Sequence, residues 1–248
     1  MKIMTDGLII REAPVGESDK FITVLTRTHG VLRAAARGSR KANSRHAAAT
    51  QLLTHVQLSL QEGKNNWYVD DARPLHVFFA LKDDLEKLTL AQYFCELAGA
   101  IAPREEPGEE ALRLLLNALH YLASGTRGVP LLKAVVECRL LAGAGYMPDL
   151  AGCRTCKTTD GPLAFLPNEG QLVCAACGGY ALPLTPAALA ALRRVQSGRL
   201  EDCFAFTLSP ADQANLAAVS EAFMKAQLGR SFTTLDFYNT LHIGKEQP

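Results

Sequence analysis

Two pairs of cysteines carry the strongest chemical signal in this 248-residue chain. Cys153-Arg154-Thr155-Cys156 and Cys174-Ala175-Ala176-Cys177 are both C-x2-C knuckles, with 17 residues between them. Each knuckle turns two sulfurs to one side, and 17 residues suffice for a hairpin that returns to the first pair, so four thiolates can converge tetrahedrally. The ligand set predicts one zinc ion per chain, with iron in the same site or redox-active thiols as the alternatives. Four thiolates fill a tetrahedral ion and leave no position for a substrate, so such a metal would fold its segment rather than catalyse. Gly178 and Gly179 follow the second pair and suit a knuckle turn with positive φ. Cys95, Cys138 and Cys203 stand among apolar residues and read as core.

A second cluster is electrostatic. Between Asp19 and Glu62 there is no acidic residue, while Lys20, Arg27, Arg33, Arg37, Arg40, Lys41 and Arg45 all fall in that gap. The first 73 residues hold 11 Lys and Arg against 7 Asp and Glu, and the rest hold 15 against 18, so a net charge of +1 hides a positive N-terminal third. Ala34-Ala35-Ala36-Arg37-Gly38-Ser39-Arg40-Lys41 is a strand end running into a loop of small residues and cations. Small side chains let a phosphodiester come close, and the cations release its counterions. Arg37, Arg40 and Lys41 are the foremost candidates for DNA contacts, with Arg33 and Arg45 beside them. Trp67 and Tyr68 are neighbours on a strand and face opposite ways, so one can fill a core while the other meets a base. Trp67 is the stacking candidate.

These residues need elements to hold them. From residue 5 to 73 the chain reads as five short strands: Leu8 to Ile10, Phe21 to Leu25, Val31 to Ala36, Val56 to Gln61, and Trp67 to Val69. In the fourth, Val56, Leu58 and Leu60 alternate with Gln57, Ser59 and Gln61, the period of a half-buried strand. Five strands in about 70 residues predict a small barrel of the oligonucleotide-binding (OB) type. From Leu81 the period becomes 3.6, predicting three helices that end near Gly143, Gly145 and Pro148. Two more follow, one over Pro186 to Gln196 and one opening with Ser209 as N-cap, Pro210 and Asp212. The five helices should form one bundle interrupted by the cysteine segment. There is no G-x-x-x-x-G-K-[ST], H-E-x-x-H or G-x-S-x-G pattern, and the six His are scattered, which argues against ATP-driven and metal-nuclease chemistry. No apolar run approaches a membrane span, and the N-terminus lacks a signal-peptide core, so a cytoplasmic location and no membrane are expected.

Two separated stretches resemble one family. Gly16-Glu17-Ser18-Asp19, Ile22-Thr23-Val24-Leu25-Thr26, Gly30 and Ala36-Arg37-Gly38 are similar to the opening of the bacterial recombination mediator RecO. So are Glu137-Cys138-Arg139-Leu140-Leu141 and Gly145-Tyr146-Met147-Pro148-Asp149-Leu150, leading into Cys153 and Cys156. One departure is Phe165 to Leu172, FLPNEGQL, where the family often has a glycine pair. The resemblance implies a multidomain α+β protein: an OB-type barrel (1–78), a helical domain (79–150 and 183–245) and an inserted zinc ribbon (151–182). It also implies a non-enzymatic, nucleoid-associated mediator of DNA repair. Such a protein binds single- and double-stranded DNA, anneals complementary strands, and acts with RecR to load RecA on DNA coated by single-strand-binding protein. A zinc-ribbon RNA-binding or transcription-associated factor would share the cysteines and the basic barrel.

The same resemblance implies contact with the acidic C-terminal tail of single-strand-binding protein. Such a tail needs an apolar pocket with cations at its rim. Leu112, Leu115, Leu116, Leu119, Leu132 and Val136 are the expected wall, and Arg113, Lys133 and Arg139 the expected rim cations.

Overall fold

The computed structural model describes residues 1–64, 66–178 and 181–243. The N-terminal strands are β1 (Lys2–Val15), β2 (Asp19–Thr26), β3 (Gly30–Ala36), β4 (Thr54–Glu62) and β5 (Trp67–Val77). They close into a barrel in the order β1-β2-β3-β5-β4. β1 serves two neighbours: Lys2 to Leu8 pair with β4, and Gly7 to Val15 pair with β2, with a register slip between Ile9 and Arg11. An extra residue at such a slip bends the strand, which is how one strand can turn a barrel corner. β1 also extends well beyond the predicted Leu8 to Ile10, running through Pro14. Beyond Leu8 only β2 pairs with it, so the missing proline N–H falls on an open edge. Parallel pairing of Ala34 with Trp67 and Ala35 with Tyr68 closes the ring.

The alternating positions meet inside. Ile9, Ile22, Val24, Leu32, Ala34, Val56, Leu58 and Leu60 form the barrel core, with Trp67 and Val69 packed against it. At the β2–β3 turn, Gly30 has φ of 59°, and a Cβ there would lie 2.0 Å from the Pro103 carbonyl oxygen, which accepts the Val31 N–H at 2.8 Å. Only glycine lets the barrel meet that backbone so closely.

The helices are α1 (Leu85–Ile101), α2 (Glu109–Ser124), α3 (Val129–Gly143), α4 (Pro186–Ser197), α5 (Pro210–Leu228) and α6 (Thr233–Ile243). The Ser209 hydroxyl accepts the Asp212 N–H as expected, and the Asp84 carboxylate likewise caps α1, accepting the N–H groups of Glu86 and Lys87. The predicted single bundle does not form. The chain falls into two compact units, Met1–Ser124 with the segment from Phe232 onward, and Gly125–Ser231. The first holds the barrel with α1, α2 and α6; the second holds α3, α4, α5 and the cysteine segment. α6 escaped the periodicity because its sequence, TTLDFYNTLHI, has weak helix formers. Tertiary contacts hold it instead: Phe232 packs edge-on against Tyr93 at 5.9 Å, and Glu96 accepts the Thr234 hydroxyl at 2.6 Å.

In the second unit, β6 (Asp149–Cys153), β7 (Leu163–Leu166), β8 (Gln171–Cys174) and β9 (Leu182–Leu184) form a sheet in the order β6-β8-β7-β9. Its hairpin is seated on the helices. Phe165 meets Phe223 edge-on at 5.6 Å, and Gln227 donates to the Pro167 carbonyl at 3.1 Å. Gly170, with φ of 64°, makes the β7–β8 turn.

Candidate nucleic-acid interface and metal centre

The four cysteines of the two knuckles come together. Their sulfurs all lie within 4.8 Å of one another, and Cys156 Sγ is 3.6 Å from Cys174 Sγ. Sulfurs bound tetrahedrally to zinc at about 2.3 Å would stand about 3.8 Å apart, so the donor set fits that ion. Cys153 ends β6 and Cys174 ends β8, so pairing within the sheet brings one knuckle to the other. In the first knuckle the Lys157 N–H returns to the Cys153 carbonyl at 2.9 Å, and in the second the Cys177 N–H returns to that of Cys174 at 3.1 Å. Backbone N–H groups, those of Cys156 and Cys174 foremost, bring the Cys153 thiol down to about 6. Hydrogen bonds shared with the Cys174 and Cys156 sulfurs hold the proton on Cys177, pushing it up to about 12. A divalent cation removes that conflict, because it stabilises every thiolate at once.

The positive φ expected at Gly178 is not there. It belongs to Lys157, at 63°, while Gly178 is needed for space, since a Cβ would come 3.1 Å from the Cys174 carbonyl oxygen. Gly179 lies outside the described residues. Cys95, Cys138 and Cys203 are all buried, and burial pushes the Cys95 thiol up to about 12.

The basic cluster sits on the barrel's outer face and the loop after β3. Arg33, Arg37, Arg40, Lys41 and Arg45 are all exposed. The loop is tied to the β1–β2 turn: the Asp19 carboxylate accepts the Gly38 N–H at 2.7 Å, and the Ser18 carbonyl accepts the Arg40 N–H at 2.9 Å. Arg40 Nη1 also donates to the Gly16 carbonyl at 2.7 Å, so its guanidinium is both a surface cation and a clamp. Arg45 donates to His46 Nε2 at 3.0 Å. Two cations of the acid-free segment are occupied elsewhere. Lys20 is buried against Glu12 at 2.7 Å, and Arg27 binds Asp6 and Glu109.

Of the aromatic pair, Trp67 is partly buried and packs against the barrel core. Tyr68 faces outward with Arg37 4.4 Å from its ring centroid, and Phe21 carries Arg33 at 4.1 Å in the same way. The outward position of Phe21 follows only from its register opposite Ala35.

The residues expected around the tail pocket are divided between the two compact units, and Leu116 is only partly buried. Leu112, Leu115, Leu119, Leu132 and Val136 are buried core residues. Lys133 is not a rim cation: its side chain is 4% exposed, and its ammonium lies 2.8 Å from both Glu137 and Glu221. Arg139 Nη1 donates to the carbonyls of Val195 and Gly198 at 3.2 and 3.1 Å. Arg113 is exposed, but on α2, in the unit that does not contain the other two. Among the described residues no helix is long and apolar enough to cross a membrane.

Residues 1–78 match the family model described as Recombination protein O N terminal, and residues 82–236 match Recombination protein O C terminal. The DNA repair protein RecO of Acetivibrio thermocellus is 30% identical over 243 residues, 96% of this chain and 97% of that protein. That of Roseiflexus sp. (strain RS-1) is 35% identical over 238 residues, 94% and 83% of the two chains. That of Symbiobacterium thermophilum is 33% identical over 248 residues, 97% and 98% of the two. Both family models match in order, and these relatives align along nearly the whole chain: it belongs to the recombination protein O (RecO) family, whose members named here are DNA repair proteins.

Proposed function

We propose that this chain is a non-enzymatic recombination mediator. In this reading residues 1–78 are an OB-type domain that binds single- and double-stranded DNA and promotes annealing of complementary strands. With RecR, the protein helps load RecA on DNA coated by single-strand-binding protein. The observation that carries the reading is the row of exposed cations, Arg33, Arg37, Arg40, Lys41 and Arg45, on a five-stranded barrel with an acid-free surface segment. Strand order 1-2-3-5-4 with a basic outer face suits a groove that follows a phosphate backbone. Annealing needs no bond to be made or broken in the protein. Cations that screen two strands from each other's charge lower the barrier to their pairing, and no catalytic residue is required.

Cys153, Cys156, Cys174 and Cys177 would hold zinc in the ribbon at 151–182, where the ion supplies folding energy to a segment with little core of its own. Contacts with RecR and with the acidic tail of single-strand-binding protein, like a nucleoid-associated location, come from the likeness to the family. Lys133 is not assigned to the tail, since its charge is satisfied internally. The test is annealing of complementary oligonucleotides without ATP across a salt series. Acceleration that falls steeply with salt supports the proposal. Absence of acceleration at low salt, or tighter binding to RNA than to single-stranded DNA in competition, would overturn it in favour of an RNA-binding zinc-ribbon factor.

A further inference from the structure

Strand pairing puts three outward positions of β2, β3 and β5 in one row across the barrel. Phe21 stands opposite Ala35, and Ala35 opposite Tyr68. Neighbouring strands are about 4.8 Å apart, so the backbone positions that carry the two rings are about 10 Å apart with a single methyl group between them. Arg33 and Arg37 stand two residues to either side of Ala35 and so share its face. Each covers one ring, Arg33 over Phe21 at 4.1 Å and Arg37 over Tyr68 at 4.4 Å. Among the described residues neither guanidinium has a carboxylate partner, so their N–H donors are open to an anion. The β4–β5 turn makes room for the Tyr68 ring, since a Cβ on Gly63 would lie 2.4 Å from it. The barrel core lies on the opposite face of these strands and uses neither ring.

The geometry points to a base-stacking platform for an unpaired strand, with Phe21 and Tyr68 each receiving one nucleobase and Ala35 leaving space for the backbone between them. It rests on the nucleic-acid reading above and deepens it. A base that takes a ring face displaces the guanidinium resting there, and the freed arginine meets the adjacent phosphate. Spacing of about 10 Å far exceeds the 3.4 Å rise of a strand in a duplex, so the two rings can serve only splayed bases. Duplex DNA would meet the cations but not the rings.

The test uses Phe21→Leu and Tyr68→Leu in the full chain, which keep apolar bulk but remove the aromatic face. Trp67 fluorescence and circular dichroism check the fold. Affinity is measured across a salt series for an oligo-dT strand, an abasic strand of equal length and a duplex. Each variant should lose about tenfold on oligo-dT, with an unchanged salt slope and unchanged affinity for the abasic strand and the duplex. Wild type should bind oligo-dT at least about tenfold more tightly than the abasic strand. Equal wild-type affinity for these two, unchanged oligo-dT affinity in both variants, or equal losses on all three ligands would overturn the platform and leave the electrostatic reading standing. A wild type that binds none of the three would overturn that reading as well.

Discussion

Asp6 shows how far one half-buried charge can bind elements together. Its carboxylate accepts Arg27 Nε and Nη2 at 2.7 and 2.8 Å and lies 3.0 Å from His55 Nε2, while Arg27 Nη1 reaches Glu109 at 2.9 Å. The bidentate Arg27 bond, helped by His55 and opposed by burial, holds Asp6 down at about 2. Since this lies below the ordinary carboxylate value of about 3.9, the stabilisation is complete above about pH 4 and is lost as pH falls through 2. Asp6→Asn should therefore cost about 2 kcal/mol at pH 7, with the difference from wild type shrinking between pH 4 and 2. Urea unfolding followed by the fluorescence of Trp67, the single tryptophan, reads this in the barrel unit. Lys133 is the matching case in the other unit. Burial would lower its pKa, but Glu137 and Glu221 outweigh burial and raise it, and the Glu137 carboxylate also accepts the Ser220 hydroxyl at 2.5 Å. Lys133→Met leaves those carboxylates without their ammonium and should cost about 3 to 5 kcal/mol, read as a drop in the chemical-denaturation midpoint. Lys133 and Glu137 have the i,i+4 spacing of an ion pair in the sequence alone. That they are buried depends on Ser220 and Glu221 on α5, and Ser220 is 83 residues beyond Glu137, which no local pattern reveals.

Among the elements, those set by short-range rules were the legible ones. The knuckles, the alternating strand β4, the helix period and the Ser209 cap are all local, and all appear, although the first helix starts at Leu85 rather than at Leu81. Long-range pairing decided the rest: the second half of β1 through Pro14, α6 docked on α1, and the division of the helices between two units. The cysteine segment is the sharpest element-scale test. Its strands are only three to five residues long, and its hairpin leans on α5 through Phe165 and Phe223, so a metal held by the four sulfurs would fix the knuckles themselves. Cys174→Ser should release metal, measured by elemental analysis, and open residues 151–180 to protease, while the barrel's Trp67 signal and DNA affinity change little. Retention of one equivalent of zinc by this variant would mean the four sulfurs are not the ligand set.

For the whole molecule, the sequence carried the charge asymmetry and the barrel, and strand register decided which side chains share its outer face. Trp67 turns toward the core and Tyr68 toward Arg37 for that reason, and the Arg40 clamp on Gly16 appears only once the loop is folded. The central claim is that DNA is held on this face by phosphate contacts from the loop after β3. The measurement that tests it most directly is the salt dependence of single-stranded DNA affinity for wild type and for the Arg37→Ala, Arg40→Ala, Lys41→Ala triple variant, with circular dichroism to verify folding. If all three side chains neutralise phosphates, the log–log slope should become shallower by about 2, at roughly 0.7 per lost contact, and affinity should fall by a similar factor on strands of unrelated sequence. A folded triple variant with the wild-type slope and affinity would contradict the account and move the DNA off this face of the barrel.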